Sequence, residues 1–125
     1  MATLNMNGPY PFTSTEIDNR VLINSIGNYA LGKLDNEGTF IVKYVGRSDT
    51  CLNTELKQRL NKKYTHFKFS YAKTIKEAYE KECNNYHDFE EDKYLDNDIH
   101  PAKPKDTDYV CPVCQKKLIK ELFGR

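Results

Sequence analysis

Two β-prone runs, 29–34 and 39–45, flank Asp35-Asn36-Glu37-Gly38, and this arrangement constrains the chain more than any other. The connecting residues favour turns, and the glycine can take positive φ, so the stretch reads as a β-hairpin. With those four residues as the loop, Leu34 faces Thr39, Leu31 faces Val42 and Tyr29 faces Tyr44. Opposed side chains of an antiparallel pair share a face, so this register puts two phenols side by side with Leu31 and Val42 beneath them. A slip of one residue would send one phenol to the other face. Taken alone, such a pair does no more than stiffen a sheet.

Residues 1–12 read as irregular, broken by Gly8-Pro9 and Pro11. Thr13-Ser14-Thr15-Glu16 has capping-box spacing, and Ile17 and Val21 follow at helical intervals, giving a short helix to about Ile23. After the hairpin, Asn53 is a fair N-cap. Leu52, Leu56 and Leu60 then mark a buried helical stripe running to about Lys63, with Arg59 and Lys63 on its flank. His66-Phe-Lys-Phe-Ser-Tyr-Ala72 alternates strictly and gives a third strand. Thr74-Ile-Lys-Glu77 is a second capping box. It opens a helix of three to four turns whose inward stripe is Ile75, Ala78, Tyr79, Tyr86 and Phe89. Glu82 falls on that stripe. A carboxylate there is costly unless paired, hydrogen-bonded or metal-bound, and the alternative turns Cys83 inward and leaves Glu82 at the rim. The acidic stretch 88–98 and a Pro-rich segment from His100 read as surface connection, and Leu118, Ile119 and Leu122 place a short amphipathic helix over 117–123. The order helix, hairpin, helix, strand, helix, tail gives an α/β (α+β) domain with a small mixed three-stranded sheet under helices. An N-terminal segment 1–26, a core 27–92 and a tail 93–125 belong to that one domain.

The net charge is +1 over 125 residues, so bulk electrostatics do not argue for nucleic acid. The distribution says more: residues 55–76 carry seven basic residues against Glu55 alone, and 88–98 are acidic. No apolar run is long enough to span a membrane, and the first residues lack the charged start and apolar core of a signal peptide. Four cysteines in that context point to reduced thiols or metal ligands in a cytoplasmic protein. Cys111-Pro-Val-Cys114 has the spacing of half a zinc knuckle. His100, Cys83 and His87 are candidates to complete it, and the alternative is buried free thiols beside a turn at Pro112.

Gly27-Asn28-Tyr29, Tyr44-Val45-Gly46, Arg59-Leu60 and Glu82 in Glu77-Ala-x-x-x-Glu together resemble the GIY-YIG nuclease superfamily over about residues 27–90. Here Asn28 stands for the usual isoleucine, and Arg47 follows the second motif where the excision-repair endonuclease subunit carries lysine. The two tyrosine motifs are further apart than is common, which a longer hairpin turn accommodates. Gly46 to Arg59 is also longer than in compact members, so loop 47–53 must bulge.

The resemblance implies metal-assisted hydrolysis of a phosphodiester. Glu82 would hold one Mg²⁺ or Mn²⁺, and Arg59 with Arg47 would serve the nonbridging oxygens. Tyr29 would take a proton from water, its pKa lowered by neighbouring cations, while Tyr44 would position that water or Tyr29. Lys57, Lys62, Lys63, Lys68 and Lys73 would contact phosphates of nucleic acid, DNA being the expected form. Nothing resembles a base-reading helix, so specificity would come from a protein partner. The competing expectation is the same fold as a non-catalytic nucleic-acid-binding or protein-interaction module. A zinc-stapled structural protein, resting on Cys111 and Cys114 alone, ranks below both.

Overall fold

Strands Asn7–Pro11 (β1), Gly27–Leu34 (β2), Phe40–Ser48 (β3) and His66–Tyr71 (β4) form one sheet in the order β1-β4-β2-β3, every pairing antiparallel. The computed structural model describes residues 4–89, 94–97 and 99–123. Met1, Ala2 and Thr3, the acidic residues Glu90, Glu91, Asp92 and Asp98, Lys93, and the Leu122 side chain lie outside that description.

The sheet is therefore four-stranded and antiparallel, not mixed and three-stranded. The added strand, β1, comes from the segment read as irregular. It lies at the sheet edge, where a proline's missing N–H can face away from the ladder, and its register with β4 shifts between Asn7 and Tyr10.

The hairpin register also differs from the expected one. Asp35 closes the turn, its carboxylate accepting from the N–H groups of Glu37 (2.8 Å) and Thr39 (2.9 Å), with Gly38 at φ 83°. Leu34 thus pairs with Phe40 and Gly32 with Val42. The register shifts again between Leu31 and Gly32, so Leu31 pairs with Tyr44 and Tyr29 with Gly46. Two one-residue shifts restore the original parity. Tyr29 and Tyr44 share a face diagonally, ring centroids 6.2 Å apart and nearly parallel, while Val42 points to the other side.

On the Tyr29 face pack helices Ser14–Arg20 (α1) and Leu52–Gln58 (α2), burying Ile17, Val21, Leu52 and Leu56 against Leu31, Phe67 and Phe69. Each such side chain contributes about 1.5–3 kcal/mol on leaving water. Thr13 caps α1 as its spacing predicts, accepting from Glu16 N–H at 3.1 Å, though Arg20 ends the helix early. Asn53 is not the cap of α2. It is buried in the first turn, donating to Val21 O (2.9 Å) and Asp18 (3.2 Å). Nor does α2 reach Lys63: Arg59 N–H bonds Leu56 O and Leu60 N–H bonds Lys57 O, a tightened turn that stops the helix.

On the opposite face lies Ile75–Asp88 (α3), capped by Thr74 on Glu77 N–H at 3.1 Å. Ala30, Val45, Leu95 and Tyr86 form the core there. The last helix, Pro112–Phe123 (α4), packs on α3 through a cluster of Tyr79, Cys83 and Cys111. It starts five residues earlier than expected, with Pro112 at its first position. Because α3 is covered on two sides, both Glu82 and Cys83 are buried, so turning Cys83 inward does not leave Glu82 at the rim as the alternative required. Between α3 and α4 the chain straps the outer edge of β3. Asp96 N–H bonds Lys43 O, and the Asn97 amide both accepts from Val45 N–H (3.0 Å) and donates to Val45 O (2.8 Å). Among the described residues, no helix is long and apolar enough to cross a membrane.

Candidate functional site

Successive residues of β3 alternate between faces, so Tyr44 points toward α2 and Arg47 toward α3. At the outer edge of β3 these two faces meet. A cleft of about 640 Å³ opens there, lined by Tyr44, Arg47, Asp49, Arg59 and Glu82, and walled by strap residues Asp96, Asn97 and 99–102. Glu82 thus approaches from the opposite side of the sheet from both phenols and still shares a cleft with Tyr44. The loop expected to bulge over 47–53 does not. β3 runs on to Ser48, whose hydroxyl accepts from Cys51 N–H at 3.0 Å and turns the chain tightly into α2.

Four of the five predicted catalytic residues line this cleft, and Tyr29 does not. It is 1% exposed, and its hydroxyl donates to Glu55 at 2.8 Å. The same Glu55 oxygen accepts from Arg59 at 3.1 Å, and the Arg59 guanidinium stands 5.3 Å from the Tyr44 ring centre. Tyr29 therefore orients Glu55, which orients Arg59. The phenols are not made acidic as expected. Burial, then the Glu55 charge, pushes Tyr29 up, and burial pushes Tyr44 up against the opposing effect of Arg59.

Arg47 forks onto Asp49 (2.9 and 3.3 Å) and donates to Glu82. Burial pushes Glu82 up to about 7 in spite of that guanidinium. The carboxylates of Asp49, Glu82 and Asp96 outnumber the guanidinium groups of Arg47 and Arg59 along the wall. Each of the three carboxylates already has a partner: Arg47 pairs with Asp49 and Glu82, and Asp96 accepts from Tyr64 (2.9 Å) and pairs with Lys63 (3.2 Å).

The five lysines do not form one surface. Lys57 pairs with Asp18 of α1 at 2.6 Å, whereas Lys68 lies over the Phe40 ring on the α3 face. Lys73 precedes α3 and Lys62 follows α2. Lys63 is the one of the set joined to the cleft wall, through Asp96 at 3.2 Å.

Behind the strap, His87, His100, Cys111 and Cys114 bring one ligand atom each within 4.8 Å of one another. Cys114 Sγ lies 3.5 Å from His87 Nε2 and 3.6 Å from His100 Nε2. Tetrahedral bonds of about 2.0–2.1 Å to nitrogen and about 2.3 Å to sulfur would place N and S about 3.5 Å apart. His100 Nδ1 lies 2.9 Å from Pro101 O, and a donated hydrogen bond there leaves Nε2 as the ligating atom. Burial raises the Cys111 thiol, but Cys114 N–H and the His100 and Cys83 side chains outweigh it and bring the group down to about 6. Cys83 itself is outside the group. It is fully buried beside Tyr79, and burial pushes its thiol up.

Sequence reasoning missed Glu55, Asp49, Asp96 and Asn97. Glu55 carried a signal, as the lone acid of the basic stretch and one helical turn before Arg59. Asp96 and Asn97 carried none, because nothing local shows that a polar connection will lie along a strand edge. A larger hollow of about 810 Å³, lined by Asn28, Lys81 and Asn85, contains none of the predicted site residues. Compared with family models, curated proteins and solved structures, the chain matches none.

Proposed function

We propose that the cleft at the outer edge of β3 takes a nucleic-acid phosphate and hydrolyses the phosphodiester with a divalent ion, with little sequence preference. The observation that carries this reading is the convergence of Tyr44, Arg47, Arg59 and Glu82, from separate parts of the chain, on one cleft of about 640 Å³. Arg59, held by Glu55, presents a planar donor set to nonbridging oxygens. An entering phosphate can replace Glu82 as the partner of Arg47, which frees the carboxylate for the ion. Mg²⁺ or Mn²⁺ bound there would supply Lewis-acid polarisation and stabilise the leaving oxygen. Tyr44 orients the attacking water; its raised pKa keeps the phenol protonated and suits a positioning role.

Purified protein with Mg²⁺ or Mn²⁺ should nick plasmid or branched DNA, and Glu82→Gln should abolish nicking while the fold persists. Equal cleavage by both proteins overturns the proposal. A second reading, favoured by the sealing of Tyr29 onto Glu55, is a module that binds nucleic acid and does not cut. Oligonucleotide binding without cleavage under either ion would select it.

The cofactor proposed for His87, His100, Cys111 and Cys114 is zinc. Its four protein ligands leave no open coordination position, which is the arrangement of a structural site. Metal analysis of protein purified without chelator should find about one zinc per chain.

A further inference from the structure

We propose that a metal ion held by His87, His100, Cys111 and Cys114 fastens the strap across the edge of β3, so that the cleft keeps its outer wall only in the metal-loaded protein. The inference rests on the cleft reading above and adds a dependence on a second, distant metal. His100 belongs to both places. Its residue lines the cleft, and its Nε2 lies 3.6 Å from Cys114 Sγ. The remaining ligands come from the last turn of α3 (His87) and from the start of α4 (Cys111 and Cys114). One ion would therefore join three pieces of chain at a point.

The strap is anchored firmly at its N-terminal end, where Leu95 enters the core and Asp96 accepts from Tyr64 at 2.9 Å, and less firmly around His100. The described residues between α3 and α4 form no helix or strand, and Ile99 is 75% exposed. Toward its N-terminal end the strap is pinned by the Asn97 amide on Val45 and by Asp96 N–H on Lys43 O. Toward the other end the pin is the His100 imidazole. Its contact with Pro101 O orients the ring, which meets α3 through ring contacts with Tyr86 (5.5 Å) and His87 (5.1 Å). A metal bound by the group would turn these ring contacts into a bonded tie to α3 and α4. Metal binding that requires a folded ligand set stabilises the segments carrying the ligands, and here those segments include the cleft wall.

The test uses the full chain. Zinc is removed with a zinc-selective chelator and then restored, and Cys114→Ser serves as a second route, since Cys114 does not line the cleft. Amide exchange is followed at Val45, whose N–H is held by Asn97, and at Leu31 and Phe67 inside the sheet. Binding of a labelled single-stranded oligonucleotide is measured in parallel. On zinc removal, Val45 exchange should quicken at least tenfold while Leu31 and Phe67 stay protected. Oligonucleotide affinity should fall at least fivefold, and added zinc should restore both.

Val45 protection unchanged within twofold overturns the proposal. So does failure of wild-type protein to bind zinc, or simultaneous loss of protection at all three amides. Oligonucleotide binding by neither form means that the cleft reading has failed. Val45 exchange then decides by itself whether zinc holds the strap.

Discussion

Gly46 has no side chain, and the Tyr29 ring occupies the space this leaves. A Cβ built at position 46 would stand 2.5 Å from the Tyr29 hydroxyl, closer than real atoms come. Gly46→Ala should therefore force Tyr29 aside, loosen its bond to Glu55 and destabilise the fold by roughly 1–3 kcal/mol, read as a lowered urea midpoint. Glu82 makes a different prediction. Its folded pKa of about 7 lies above its ordinary 4.5, so between these values the folded state binds more protons than the unfolded state. The stability this group contributes is complete below about 4.5 and is lost as pH rises through about 7. Relative to wild type, Glu82→Gln should gain stability across that window, by at most roughly 3 kcal/mol, in paired denaturation curves. A cation site needs the carboxylate, so cleavage should increase from pH 6 to pH 8.

At the scale of elements, caps and strand pairings decide what sequence patterns leave open. Thr13 and Thr74 were readable as caps because hydroxyl and acid stand three residues apart, and both hydroxyls accept the expected N–H. Thr74→Ala should cost about 1 kcal/mol and should fray α3 from its start, measured by exchange at Glu77. The stripe of α3 was legible at Ala78, Tyr79 and Tyr86 but not at its start, where Ile75 is exposed rather than inward, and the alternation of β4 was legible since burial of one face imposes a period. The hairpin register was not. The tie between Asp35 and Thr39 and the shift near Leu31 involve backbone choices that many side chains would permit. Two errors of one residue cancelled in parity, so Tyr44 was placed on the correct face for an incomplete reason. β1 was missed because Pro9 and Pro11 are breakers everywhere except at a sheet edge. Asn97→Ala should cost about 1–3 kcal/mol, because Val45 would lose partners for both its N–H and its C=O.

For the whole molecule, the cations are spread over both faces of the sheet, and few of them can reach one strand of nucleic acid together. Arg47, Arg59 and Lys63 are placed at the cleft, so binding should release only the counterions of about two or three phosphates. The log–log slope of affinity against salt should then be about −2 to −3, in titrations from 50 to 200 mM. A basic run in sequence had suggested a broader surface. Lys57 and Lys68 show why composition misleads there, since neighbours along a chain can end on opposite faces. The metal group was legible through its Cys-x-x-Cys, while the choice of His87 over Cys83 depended on how α4 docks, which spacing cannot reveal.

The Asn97 amide offers β3 the same donor and acceptor that a neighbouring backbone would. A further strand is hindered where ladder positions are already taken, as at Val45 and the Lys43 C=O, and the opposite margin carries prolines that cannot donate. Both borders are thus blunted against edge-to-edge pairing with a second copy.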